Sequence, residues 1–283
     1  MTGKLFLCGT PIGNLEDITE RAKRILSEVD LIAAEDTRQT LKLLNHFDIK
    51  KELVSYHEHN KIERGPKLIE SLKAGLNIAL VTDAGMPGIS DPGEDLVRLC
   101  IDEGIGVEVI PGPTASITAL VISGFPTRRF IFEGFLPKGG KERRKIIEEL
   151  KNETRTVIVY EAPHRINATL KELYECLGDR EIAICRELTK KFEEVIRTGL
   201  KDASRIYDDR EPKGEFVIVI KGKSVEDIEK QNQKVWENIS VDDHINMYIS
   251  KGMNKKDAMK KVAKDRGVSK RDIYKQQLTS RDN

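Results

Sequence analysis

The chain has 283 residues, of which 34% are charged and 39% apolar, and its 48 Lys and Arg offset 47 Asp and Glu to leave a net charge of +1. Such a mix excludes fibrous and intrinsically disordered classes and leaves room for two ordinary domains and a small appendage. No run approaches the roughly 20 apolar residues of a membrane span, and the apolar run Leu5–Cys8 is too short for a signal-peptide core, so a cytoplasmic protein without a membrane partner is expected.

In chain order, the first third alternates short apolar runs with amphipathic stretches. Strands are predicted at Leu5–Cys8, Leu31–Ala34, Val54–Tyr56, Ile78–Thr82 and Val107–Ile110. Helical patterns fill Glu16–Ser27, Thr37–His46, Lys61–Ala74 and Gly93–Glu103. Five strands separated by helices predict a mostly parallel sheet covered on both faces, with any ligand at the carboxyl ends of the strands. The uncommon residues collect at those ends. They are Gly9 to Asn14, Glu35 to Arg38, Tyr56 to Asn60, Asp83 to Gly93, and Pro111 to Thr114.

Thr114 is placed to N-cap an apolar helix over Ala115–Ser123. A second series follows, with strands at Arg129–Glu133, Thr156–Glu161, Glu181–Arg186, Glu194–Thr198 and Glu215–Lys221 and helices at Lys141–Lys151 and Arg165–Leu177. These predict a second α/β domain with a mixed sheet, joined to the first near residues 112–126. The division is therefore 1–114, 115–223 and, after a polar linker over Ser224–Lys234, a small helical unit over 235–283. In that unit Val241–Ser250 and Lys255–Lys264 read as helices. Gly267 to Tyr274 reads as the turn and second helix of a helix-turn-helix, with Ser269 as N-cap. Between Lys251 and Lys275 ten Lys or Arg face three Asp, and a second basic knot holds Lys138, Lys141, Arg143, Arg144 and Lys145. Basic clusters of this kind attract phosphates, although a solvated helix face has the same composition.

The loops restrict the chemistry without selecting one reaction. No G-x-x-x-x-G-K-[ST] or G-x-G-x-x-G is present, so a P-loop hydrolase and a dinucleotide enzyme are not indicated. No H-E-x-x-H occurs, and Cys8, Cys100, Cys176 and Cys185 sit singly in apolar runs, so no metal is expected. Asp83 at a strand end suits an amine or a ribose, and the glycines after it allow backbone to approach a ligand. Tyr160 to Arg165 holds a carboxylate, an imidazole and a guanidinium, as does Arg186 to Lys190 in part. Both loops read equally as a site or as charged surface turns.

Taken together, Gly9-Thr-Pro-Ile-Gly-Asn14, Ala34-Glu-Asp-Thr-Arg38, Tyr56-His-Glu-His-Asn60, Thr82-Asp-Ala-Gly-Met-Pro87, Pro111-Gly-Pro-Thr114, Glu133-Gly-Phe-Leu-Pro137 and Arg186-Glu-Leu-Thr189 resemble, in order, the small-subunit ribosomal RNA methyltransferase branch of the tetrapyrrole methylase superfamily. The resemblance spans residue 5 to about residue 222. It implies two α/β domains with S-adenosylmethionine in the cleft between them and a homodimer. It also implies methylation of the ribose 2′-oxygen of a cytidine in the decoding centre of the small ribosomal subunit. Carried over, donor contacts fall on Pro11, Asp83, Gly85, Met86, Ile89, Thr114, Ala115, Tyr160, Glu161 and Ala162. Candidates for the base that takes the 2′-proton are Glu161, His164 and Asp36. Arg38, Arg186, Lys138, Arg143 and Arg144 become candidates for RNA contacts, with the basic tail. An uncharged, partly apolar cleft would favour transfer, because positive charge leaves sulfur as the reaction proceeds. Two rival readings stay open: methylation of a porphyrin-like small molecule, and a non-catalytic nucleic-acid-binding regulator.

Overall fold

The computed structural model describes residues 2–208, 212–224, 226–228, 236 and 238–279. The first sheet consists of β1 (Lys4–Cys8), β2 (Leu31–Ala34), β3 (Glu52–Ser55), β4 (Ile78–Val81) and β5 (Gly106–Ile110) in the order β3-β2-β4-β1-β5, with every pairing parallel. A parallel sheet must be covered on both faces, and this one is. One face packs on α1 (Glu20–Glu28) and α2 (Thr37–His46), burying Ile25, Leu26 and Leu44. The other packs on α3 (Lys61–Lys73) and α4 (Gly93–Asp102), burying Leu68, Leu72 and Leu96. The helical pattern from Glu16 to Ser27 is broken in two. Asn14 caps a 3-10 turn over Leu15–Asp17, and Thr19 then accepts the Ala22 N–H at 3.0 Å to start α1. β3 stops at Ser55, one residue before the predicted end, and Tyr56 follows it as a fully buried side chain.

Helix α5 (Ala115–Ser123) leads into the second sheet, β6 (Phe130–Phe135), β7 (Thr156–Glu161), β8 (Glu181–Arg186), β9 (Glu194–Gly199) and β10 (Phe216–Ile220). Its order is β6-β7-β10-β8-β9. β6 and β7 are parallel and the remaining pairs antiparallel, as a mixed sheet requires. A bulge between Phe132 and Gly134 carries β6 two residues past its predicted end, with Gly134 at φ +63°. α6 (Gly140–Leu150) and α7 (Ile166–Leu177) follow β6 and β7. A four-residue helix, α8 (Leu200–Ala203), follows β9. Ala119 and Leu120 of α5 pack with Ile158, Ala183 and Val217 of the second sheet, and Ile12 from the β1 loop enters the same cluster.

Contacts divide the chain into two compact units, residues 1–148 with 156–221, and residues 149–155 with 222–283. Both sheets belong to the first. The second holds α9 (Val241–Ile249), α10 (Lys255–Asp265) and α11 (Lys270–Thr279). Ile245, Ala258, Met259, Val262 and Ile273 form its core, and Ser240, Asn254 and Ser269 accept the N–H of the third helical residue after each. Gly252 and Gly267 take φ of +91° and +65°, where a side chain would be strained. Most of the predicted linker, at residues 225 and 229–234, lies outside the described residues. Among the described residues no helix is long and apolar enough to cross a membrane.

Candidate active site

Because the first sheet is parallel, the loops after β1, β2, β4 and β5 emerge at one edge. They are knitted there by backbone. Thr10 and Gly85 exchange N–H···O bonds of 2.9 and 3.0 Å, and the Thr10 hydroxyl donates to Thr82 O at 3.2 Å. Gly85 adopts φ +86° to make this turn. At Gly9 a Cβ would lie 2.7 Å from the Gly112 Cα and 2.7 Å from the Met86 Sδ, so the β1 and β5 loops meet only because both residues lack side chains. Gly13 lies against Thr189 and Lys190, and the Asn14 N–H donates to Thr189 Oγ1 at 3.1 Å. The loop after β1 is thus gripped on one side by the β4 loop and on the other by the loop after β8.

These loops and the facing second sheet enclose a cavity of about 400 Å³, within the range of roughly 300–1,000 Å³ that holds a drug-sized ligand. Phe135, Tyr160 and Phe216 supply an aromatic wall. The Tyr160 ring meets Phe132 and Phe135 edge-on at 4.9 and 5.5 Å, and its hydroxyl accepts the Ser116 N–H at 3.0 Å. That bond serves the free amino end of α5. The Thr114 hydroxyl, expected to cap the helix, makes no capping bond; Tyr160 has taken over part of the task from across the cavity.

Five acidic residues line the cavity, Glu35, Asp83, Asp91, Glu161 and Glu215, the Glu161 carboxylate itself being buried, and among the described residues no Lys, Arg or His does. Asp91 is committed to its loop, accepting N–H groups of Gly88, Ile89 and Gly93 at 2.8, 3.1 and 2.8 Å. Glu215 pairs with Lys190 at 2.8 Å. Asp83 accepts the Asp36 N–H at 3.0 Å; burial, and then the neighbouring Glu35 charge, push its carboxyl above the usual range. Glu35 accepts the Thr82 hydroxyl at 2.6 Å. The cleft is therefore not uncharged: Glu35, Asp83 and Asp91 come from loops of the first sheet, and Glu161 and Glu215 adjoin Tyr160 and Phe216 in the second.

The structure gathers nine of the ten expected donor contacts around this cavity: Asp83, Gly85, Met86, Ile89, Thr114, Ala115, Tyr160, Glu161 and Ala162. Pro11 is buried and does not line it; its neighbour Ile12 does. The three base candidates separate. Asp36 is off the wall, capping α2 and forked onto Arg38 at 3.0 and 2.7 Å, which lowers its carboxyl to about 2. His164 is exposed and does not line the cavity. Glu161 lines it, but both its oxygens are engaged by other side chains or backbone. Of the RNA candidates, Arg38, Lys138 and Arg144 are exposed, and Arg186 is half-buried against Glu194 at 3.0 Å. Arg143 is a correction. Only 7% exposed, it bonds Glu172, Thr169 and the Pro137 carbonyl, and so cannot reach phosphates. The α6 face it occupies turns inward onto α7, which a basic run alone does not reveal. Glu35, Phe135 and Phe216 were not singled out. Glu35 stands one residue before Asp36 in the Ala34 to Arg38 motif, and the two rings become visible only when the second sheet faces the first.

A family profile described as Tetrapyrrole (Corrin/Porphyrin) Methylases matches residues 4–204. The chain is 53% identical over 272 residues to a protein of Halalkalibacterium halodurans named ribosomal RNA small subunit methyltransferase I, covering 96% of this chain and 93% of that one. A protein of the same name from Thermotoga maritima is 50% identical over 221 residues, covering 78% of this chain and 99% of its own. Among solved structures, a uroporphyrin-III C-methyl transferase of Thermus thermophilus, complexed with S-adenyl homocysteine, superposes with a TM-score of 0.56 at 23% identity, over 77% of this chain and 97% of its own. At that identity the likeness speaks for the fold.

Proposed function

The chain belongs to the tetrapyrrole methylase family, in its ribosomal RNA small subunit methyltransferase I branch, and on that premise we propose that it methylates the ribose 2′-oxygen of a cytidine in the decoding centre of small-subunit ribosomal RNA, using S-adenosylmethionine. The observation that carries the reading is the cavity at the strand ends. The four acidic side chains of Glu35, Asp83, Asp91 and Glu215 and three aromatic rings, with no basic side chain among the described residues, suit a cationic ligand with an apolar body and disfavour a phosphorylated nucleotide. S-adenosylmethionine carries a sulfonium and an ammonium charge on an adenosine frame, so the residues present fit it. Bound there, it supplies a methyl group already activated for in-line displacement.

The residues that would hold it are Asp83, Gly85, Met86 and Ile89 after β4, Thr114 and Ala115 at the start of α5, and Tyr160 to Ala162 at the end of β7. The chain must also place the acceptor ribose and take up its hydroxyl proton. We assign the proton to Glu35. It lies on the cavity wall, accepts from the neutral Thr82 hydroxyl, and among the described residues forms no ion pair. Arg38, Arg186, Lys138 and Arg144 around the α/β unit, with the exposed lysines of α10, supply contacts to the RNA backbone. The reading includes assembly as a homodimer, for which Ile117 and Val121 on one face of α5, 45% and 69% exposed, offer an apolar surface. It also places the protein in the cytoplasm, with its ribosomal substrate.

The test incubates the full chain with labelled S-adenosylmethionine and small subunits lacking the modification, followed by nuclease mapping. Label on a single cytidine 2′-oxygen is the expected result. Label on a base, on protein or only on an added tetrapyrrole overturns the assignment of substrate.

A further inference from the structure

Glu161 ends β7 with only 2% of its surface exposed, and a buried carboxylate requires partners. It draws them from α7 and from its own loop. Oε2 accepts the Thr169 hydroxyl at 2.6 Å, Oε1 accepts the Ala162 N–H at 2.9 Å, and the Arg165 Nε lies 3.3 Å from Oε1. Arg143 Nη1 is 4.0 Å from Oε2, too far for a hydrogen bond. Its Nη2 donates to Thr169 Oγ1 at 2.9 Å instead, so that one hydroxyl relays Arg143 to Glu161.

The same two arginines grip the end of β6. Arg143 Nη1 donates to the Pro137 carbonyl at 3.0 Å, and Arg165 Nη2 donates to the carbonyls of Leu136 and Pro137 at 2.8 and 3.1 Å. Arg143 Nε, bonded to Glu172 at 2.7 Å, fixes the guanidinium plane from α7. The knot therefore joins the carboxyl ends of β6 and β7 to both helices that follow them. Phe135 lies one residue before Leu136, and Tyr160 and Ala162 flank Glu161. All three form cavity wall.

We propose that Arg143 is a positioning residue for this cavity: through Thr169 and Glu161, and through the Pro137 carbonyl, it sets Phe135, Tyr160 and Ala162 in the places where the donor is held. The inference rests on reading the cavity as the donor site. Its chemistry depends on the planar fork of a guanidinium, which reaches a carbonyl, a hydroxyl and a carboxylate at once; an ammonium does not.

The experiment compares Thr169→Val, Thr169→Ser and Arg143→Lys in the full chain, with thermal melting to establish that each folds. Donor Kd is measured by equilibrium titration with S-adenosylmethionine, KM and kcat by methyl transfer, and RNA affinity as a function of salt. Thr169→Val keeps the side-chain shape and deletes only the relay. It is expected to raise donor Kd and KM about fivefold to tenfold, well short of the roughly 100-fold cost of a 1 Å displacement at the reacting centre, and to leave kcat at saturating donor within about twofold. Thr169→Ser is expected to return donor Kd to the wild-type value, and Arg143→Lys to behave as Thr169→Val. RNA affinity and its salt slope stay unchanged in all three. A wild-type donor Kd in Thr169→Val overturns the proposal, as does an equal loss in Thr169→Ser, which assigns the effect to packing. A reduced salt slope in Arg143→Gln, which removes the charge that Arg143→Lys keeps, overturns it in favour of phosphate contact. A wild-type protein that binds no donor overturns the donor reading first, and this inference with it.

Discussion

The cavity of the α/β unit and the surface of the helical unit carry opposite charge. The cavity presents the carboxylates of Glu35, Asp83, Asp91 and Glu215 and, among the described residues, no basic side chain, whereas residues 251–275 hold ten Lys or Arg against three Asp. A net charge of +1 conceals both. The two regions also differ in how their charges are held. Cavity carboxylates are bonded to backbone, hydroxyls or guanidinium groups, as at Asp91, Glu35 and Glu161. The lysines of α10 are exposed, and Lys261 pairs with Asp265 at 3.2 Å. Fixed charges suit a small ligand that must be oriented. Solvent-exposed ones suit a polyanion bound through counterion release, which depends little on exact placement.

The largest effect should come from the cavity. Glu35→Gln keeps the hydrogen-bond geometry but removes the proton acceptor, and is expected to lower kcat about 10²–10⁴-fold with donor Kd nearly unchanged. Single-turnover transfer with saturating donor and subunit would measure it, and near-normal turnover would remove Glu35 from its role. Next, Asp83→Asn is expected to weaken donor binding by roughly 10- to 100-fold, the value of one or two hydrogen bonds to a charged group, while RNA affinity holds. If RNA binding fell instead, the separation of the two regions would be wrong. Third, replacing Lys255, Lys256, Lys260 and Lys264 together by Ala should cut RNA affinity about tenfold at moderate salt and flatten its salt dependence, leaving donor Kd alone. An unchanged salt slope would show that the α10 face is merely solvated.

The smallest effect sharpens the comparison within the helical unit. His244 is fully buried, stacked on Trp236 at 3.8 Å, with Arg266 donating to its Nδ1 at 3.3 Å, Asp265 3.6 Å away and the Tyr248 ring tilted against it. Burial, then the Arg266 charge, lower its pKa below the ordinary 6.5, and Asp265 opposes them in part. With the folded pKa below the unfolded one, the unfolded state binds the proton more readily. Stability is therefore complete above about pH 6.5 and falls as pH drops below it. Amides of α9 and α10 in the full chain should lose exchange protection at pH 5.5 relative to pH 7.5, while those of β1 and β4 do not. Equal protection of α9 at the two values, after correction for intrinsic rates, would rule out this role for His244.

Periodicity and turn residues made the elements legible. All ten strands lie where alternation and apolar runs predicted them, and the departures have local causes: the Asn14 and Thr19 caps split one helical pattern, and the Gly134 bulge lengthens β6. Much of the site was legible too, because a parallel sheet brings its loops to one edge whatever the details of packing. That placed Asp83, Gly85, Thr114 and Tyr160 on one wall.

What the sequence determined by itself was local order: where strands and helices start and stop, that the first sheet is parallel, and that its glycine-rich loops share an edge. These follow from backbone sterics and short-range pattern, which act along the chain. Tertiary structure alone decided the partners. Arg143 looked like part of a basic surface until α6 turned it onto Thr169 and Glu172, and Glu161 looked like a free base until Thr169, Arg165 and Ala162 closed around it. Asp36 and Glu35 are adjacent in sequence, yet one caps a helix and the other faces the cavity. The charge a residue type carries is written in the chain. Whether that charge is spent on the fold or left for a ligand depends on which groups the fold brings within hydrogen-bonding distance, about 3 Å.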